Sequence, residues 1–289
     1  MEFRKAFQRG AASCAVMLLA GWTWALAAEP ARNEACLTCH EEQGKSLAAT
    51  IHGKLAGGAP DCESCHGPGQ AHVDAGGGKG TIFNPAKGDA AKVVAHCMSC
   101  HDEREGRRFF AASTHAAEGL SCASCHGIHS PKKVKEGFLR DGSTTALCLS
   151  CHKNMEKSLF ERSRHPLREG KMACVSCHDP HGAPTRHMLK AASANDLCFT
   201  CHAEKRGPFL FSHSPVTENC MNCHNPHGSS QEQLLVRRES RLCQSCHLEG
   251  KHQTIAGQPN DTWNSYRMCT NCHTNIHGSN HPSGYKFLR

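Results

Sequence analysis

One five-residue phrase, C-x-x-C-H, recurs ten times in this 289-residue chain and dictates its organisation. The first five copies are Cys36-Cys39-His40, Cys62-Cys65-His66, Cys97-Cys100-His101, Cys122-Cys125-His126 and Cys148-Cys151-His152. The second five are Cys174-Cys177-His178, Cys198-Cys201-His202, Cys220-Cys223-His224, Cys243-Cys246-His247 and Cys269-Cys272-His273. Only Cys14 of the 21 cysteines lies outside a pair. With 23 histidines in 289 residues, ten such placements arise by chance about once in 10¹¹.

The spacing carries a chemistry. Two thiols three residues apart on a helical turn match the two vinyl groups of one haem, and thioether bonds join them. The next residue then turns its imidazole to the iron as the proximal ligand. Zinc ribbons join two C-x-x-C pairs and need no constant histidine. Thioredoxin-like redox pairs come one to a domain. An even number of cysteines in an exported chain defaults to disulfides, but disulfides require no histidine behind every pair. The motifs therefore call for ten covalently attached haem c groups.

Residues 1–28 read as a cleavable signal peptide. Arg4, Lys5 and Arg9 precede an apolar run that ends in Ala25-Leu26-Ala27, and the run is short for a spanning helix. Cys14 leaves with it. No later run is long enough to cross a membrane, so the chain is expected in the periplasm.

A longer repeat lies over the short one. Each unit has a motif, a lone histidine, a second motif and a trailing histidine, at a period of roughly 50 residues. The added histidines are His52 and His72, His115 and His129, His165 and His181, then His213 and His227. The last unit departs from the pattern: His252 comes early, and both His277 and His281 follow. Ten irons need ten sixth ligands. These eight, His252 and one of His277 or His281 are the expected distal set. His96 and His187 do not fit the repeat. Methionine ligands would raise the potential, but the methionines show no periodic placement.

Composition agrees with a haem-filled interior. Hydrophobic residues are 38% and aromatics 6%, with a mean hydropathy of −0.51, too little for a side-chain core in a chain this long. Porphyrin faces take that place, and the apo chain is expected not to fold. The expected fold is mainly α with much irregular loop and almost no β-sheet, an elongated cytochrome of five dihaem repeats. Residues 74–85 read as an exposed loop. The formal charge of +7 falls to about +5 without the signal. Haem propionates reverse its sign, which gives no case for nucleic acid.

Six-coordinate haem has no open position for substrate, so the first reading is an electron-transfer wire and not an enzyme. A multihaem oxidoreductase needs one five-coordinate iron, often marked by a Lys-ended motif, and none occurs here. A haem filament with ligands exchanged between copies should be short of histidines, and this chain has a surplus.

"CHGPGQAH" at 65–72, the paired "CHDPHG" and "CHNPHG", and the closing "RMCTNCHTNIHGSNHPSG" resemble the periplasmic decahaem cytochromes of the MtrA/DmsE type. The likeness runs from about residue 35 to 284. It implies two pentahaem halves, residues 29–160 and 161–289. It also implies insertion into an outer-membrane β-barrel porin, associating the protein with the outer membrane. Electrons would pass between a periplasmic or inner-membrane cytochrome and an extracellular multihaem cytochrome or terminal reductase, in metal reduction or in reverse from Fe(II). A freely diffusing periplasmic shuttle is the alternative.

Overall fold

The computed structural model describes residues 33–55, 58–101, 107, 109–129, 137–247 and 268–288. The expected signal peptide and His252 lie outside them. Among the described residues the chain is helical and looped, with isolated bridges in place of strands. No helix in this set is long and apolar enough to cross a membrane.

Helix length alternates with motif number. The odd motifs lie within or run off the C-terminal ends of helices α1 (Asn33–Ala48), α3 (Ala90–His101), α5 (Thr144–Cys151), α6 (Ala194–Phe199) and α7 (Glu239–Gln244). The even motifs occupy single turns: α2 (Cys62–His66), α4 (Cys122–Cys125) and the 3₁₀ turns Cys174–Ser176, Cys220–Asn222 and Cys269–Asn271. Caps set several starts. The Ser143 and Ser193 side chains accept from the backbone N–H of Ala146 and Asp196, and Asp89 accepts from Lys92 at 3.0 Å. Such caps satisfy donors that a short helix cannot satisfy itself. The motif histidine breaks the helix: His40 sits at φ −120°, ψ 40° and His202 at φ −106°, ψ 50°.

Side chains do not build the core. The buried hydrophobics among the described residues are Val93, Phe110, Phe138 and Leu235. One connected cavity of about 5260 Å³ occupies the interior instead, and all ten motifs line it. That is about 530 Å³ per motif, within the roughly 300–1,000 Å³ of a site for one sizeable ligand.

Contacts cross residue 160. The ring of His126 faces that of His181 at 6.1 Å, and His115 donates from Nδ1 to the Pro180 carbonyl at 3.1 Å.

Candidate functional site

The thiols lie in sequence order. Within each unit the first cysteine of the odd motif meets the first cysteine of the even motif: Cys36 with Cys62, Cys97 with Cys122, Cys148 with Cys174, Cys198 with Cys220 and Cys243 with Cys269. Between units the second cysteines approach: Cys65 and Cys100, Cys125 and Cys151, Cys177 and Cys201, Cys223 and Cys246. The effect is felt chemically. Hydrogen bonding pushes Cys97 and Cys148 up and draws their partners Cys122 and Cys174 down to about 7 and about 6. Burial and the facing thiol push Cys198 up to about 11. All twenty cysteines of the described residues are free of disulfides, and no group of three or more His, Cys, Asp or Glu among those residues could hold a metal ion. The nine thiol neighbourhoods join motif one to motif ten without a gap.

Nine of the ten motif histidines face a second histidine across the cavity. The pairs are His40–His72 at 6.3 Å, His66–His129 at 6.0 Å, His101–His52 at 5.9 Å, His126–His181 at 6.1 Å and His152–His115 at 6.2 Å between ring centres. They continue with His178–His227 at 6.1 Å, His202–His165 at 6.4 Å, His224–His277 at 6.1 Å and His247–His213 at 6.2 Å. Metal–imidazole bonds run at about 2.0–2.1 Å, so two imidazoles sharing one metal stand about 6 Å apart, centre to centre. The donor set and its spacing fit a six-coordinate haem at each pair. Of the two candidates in the last unit, His277 faces a motif histidine. His281 Nδ1 accepts from the Ser283 N–H at 3.1 Å. His96 donates from Nε2 to the Ser64 carbonyl at 2.7 Å.

Burial keeps several of these rings neutral. It holds His129, His181, His213 and His227 below the usual histidine value, and His277 down to about 4. Neutral imidazole is the form that binds a metal.

The pairing is reciprocal between units. Each of the first four units lends its inner histidine to the odd motif of the next: His52 to His101, His115 to His152, His165 to His202 and His213 to His247. It receives the next unit's trailing histidine at its own even motif: His129 at His66, His181 at His126, His227 at His178 and His277 at His224. The first motif closes within its own unit, on His72.

Tight turns present the trailing histidines. Asp179 Oδ1 accepts from the His181 N–H at 3.0 Å, and Asn225 Oδ1 from the His227 N–H at 3.2 Å. Gly182 follows at φ +106°, where an added Cβ would meet the Phe109 carbonyl at 2.5 Å. The carbonyls of Pro180 and Pro226, just before these histidines, accept from His115 Nδ1 at 3.1 Å and His165 Nδ1 at 2.9 Å. One turn thus orients the distal rings of two successive motifs.

A further set of contacts escaped sequence reasoning. Every even motif histidine donates from Nδ1 to a carbonyl on a downstream strap: His66 to Phe83, His126 to Gly137, His178 to His187, His224 to Gln233 and His273 to Lys286. In the last four the strap's next carbonyl accepts from a backbone N–H just past the motif histidine: Phe138 from Gly127, Met188 from Asp179 and Leu234 from Asn225, each the next residue, and Phe287 from Asn275, two residues on. The straps use left-handed backbone at non-glycine residues, with φ of +61° at Phe138, +62° at His187, +53° at Met188, +55° at Gln233 and +59° at Leu234. Each costs about 1–3 kcal/mol and persists where the surroundings over-determine it. A carbonyl on Nδ1 fixes the ring's tautomer and orientation and makes the ligand more basic. The sequence signal is faint: in the last four straps, two large apolar residues, the second a leucine, 10 to 15 residues after the histidine.

A multihaem cytochrome of Shewanella baltica, named MtrA, is 39% identical over 272 residues, which span 88% of this chain and 80% of that protein. The chain belongs to the MtrA family of multihaem c-type cytochromes. It is an electron-transfer protein that binds haem c covalently. The doubled C-x-x-C-H family matches residues 165–207 and 213–252, and the NrfB-like c-type cytochromes match residues 62–151. The c-type protein NrfB of Escherichia coli is 25% identical over 128 residues, spanning 39% of this chain and 66% of that protein. A high-molecular-weight cytochrome c of Nitratidesulfovibrio vulgaris is 26% identical over 157 residues, spanning 50% of this chain and 25% of that protein.

Proposed function

We propose that the chain carries ten haem c groups, one on each motif, and conducts electrons between the periplasm and the cell exterior from within an outer-membrane β-barrel porin. Each iron is held between the motif histidine and the histidine facing it. His252 completes the tenth, on His273. The signal at residues 1–28 sends the chain to the periplasm, and the two halves, 29–160 and 161–289, hold five haems each. A periplasmic or inner-membrane cytochrome exchanges electrons at one end. An extracellular multihaem cytochrome or terminal reductase does so at the other.

The observation that carries this reading is the unbroken order of the motifs. Nine consecutive thiol neighbourhoods leave no step at which the wire is interrupted. Bound haem supplies a one-electron Fe(III)/Fe(II) couple. The chain's own residues do the rest. Paired imidazoles would hold each iron from two sides and leave no place for substrate. Straps and turns fix ring orientation, so little rearranges on electron transfer. Large transmembrane barrels have polar interiors that a protein plug can fill.

Purification from outer-membrane fractions in mild detergent tests the conduit. A copurifying β-barrel and an outer-surface cytochrome are the expected outcome. Recovery solely as a soluble monomer would replace the conduit with a diffusing shuttle.

A further inference from the structure

Glu239 opens α7, the helix of the ninth motif, and its side chain crosses to the tenth. Oε1 accepts from the Thr270 backbone N–H at 2.8 Å and from the Thr270 hydroxyl at 2.9 Å. Oε2 is buried without a hydrogen-bond partner. The residue is 6% exposed, and the ion pairs of the described residues do not include it.

Two other units make the same crossing with a neutral amide. Asn33 Oδ1 accepts from the Cys62 N–H at 2.9 Å, and Asn195 Oδ1 from the Cys220 N–H at 2.8 Å. Capping the even motif's turn therefore needs an acceptor but no charge. In the fifth unit a carboxylate stands there instead. Thr270 lies between the two attachment cysteines of the tenth motif, Cys269 and Cys272, so this carboxylate stands beside that site.

A buried charge with no counter-cation among the described residues acts through a low dielectric and is little screened by salt. A negative charge beside two haems favours the ferric state, which is one unit more positive than the ferrous. We infer that Glu239 is a redox-tuning residue, lowering the reduction potentials of the haems on the ninth and tenth motifs. The inference rests on the haem assignment proposed above. Glu239 touches no reacting atom and works through its field. Each iron takes up one electron, Fe(III) to Fe(II), and no proton transfer is required.

Mediated potentiometric titration of the full-length holoprotein tests this, followed by absorbance and low-temperature spin resonance. Glu239→Gln keeps the acceptor for Thr270 and removes the charge. Two of the ten haems should become about tenfold easier to reduce, equivalent to about 59 mV for a one-electron couple, with the other eight unmoved and the shift surviving high salt. Glu239→Asp keeps the charge and shortens the reach, and should stay near the parent curve. Superimposable titrations of parent and Glu239→Gln would overturn the inference, as would equal shifts in both variants, which would mark a capping role alone. Intact mass separates the two levels. Fewer than ten adducts on the parent chain defeats the haem assignment, whereas ten adducts with unchanged potentials defeats only the tuning role.

Discussion

Replacing His181 by alanine should leave one iron in ten without its sixth ligand. The His181 ring faces His126 at 6.1 Å with 10° between the ring planes. The other histidine at this junction, His115, is engaged twice, facing His152 at 6.2 Å and donating to the Pro180 carbonyl. It cannot swing across to substitute. The Pro180 carbonyl belongs to the backbone and survives the change, so the fifth haem keeps its oriented ligand. The expected defect is therefore one-tenth of total iron: a high-spin ferric signal of that size, and one CO bound per reduced molecule. Covalent haem count stays at ten, because Cys122 and Cys125 are untouched. A second change, His115→Ala, should add a further tenth and no more, since the two rings serve different irons. Spin-resonance integration with CO titration measures both. A wholly low-spin His181→Ala protein would refute the pairing. Loss of two sites from the single change would refute the independence of the rings.

Other consequences can be checked separately. Gly182→Ala forces a Cβ against the Phe109 carbonyl at a left-handed φ, and should cost about 1–3 kcal/mol, seen as a lower thermal midpoint by about 2–4 °C per kcal/mol. His252→Ala should yield a high-spin tenth of the iron, while His281→Ala and His187→Ala should leave every haem low-spin by the same spectroscopy. A fragment of residues 29–160 loses His181 but keeps His115, so one iron in five, on Cys122 and Cys125, should be high-spin. The chain made without haem attachment should show no cooperative unfolding by circular dichroism, because the ligand bonds supply the folding energy that so small a side-chain core cannot.

The motifs are legible because they are local. Two cysteines and a histidine within five residues need no long-range fold to bring them together. The histidines that face the motif histidines were legible for another reason: the repeat returns them at a regular period. Their partners were not, because His52 reaches His101 and His126 reaches His181 across unit boundaries. Periodicity marks a position and says nothing about which neighbour it serves. The last unit departed in sequence because one residue is inserted between His273 and His277, yet Asn275 and Gly278 keep the turn, joined by a 3.0 Å hydrogen bond. The straps were hidden because they act through carbonyls, and Gly137, His187, Gln233 and Lys286 share no side-chain chemistry. The stretch at residues 74–85 read as plain exposed loop, yet it supplies the Phe83 carbonyl to His66 and the Thr81 hydroxyl to His72 at 2.7 Å.

Intact-mass determination of the mature holoprotein, paired with its ferric spin-resonance spectrum, tests the central claim most directly. Ten haem adducts on a chain beginning near residue 29, with all signals low-spin, is the result expected of a bis-imidazole decahaem wire. A lower adduct number, or a spectrum dominated by high-spin iron, would contradict it.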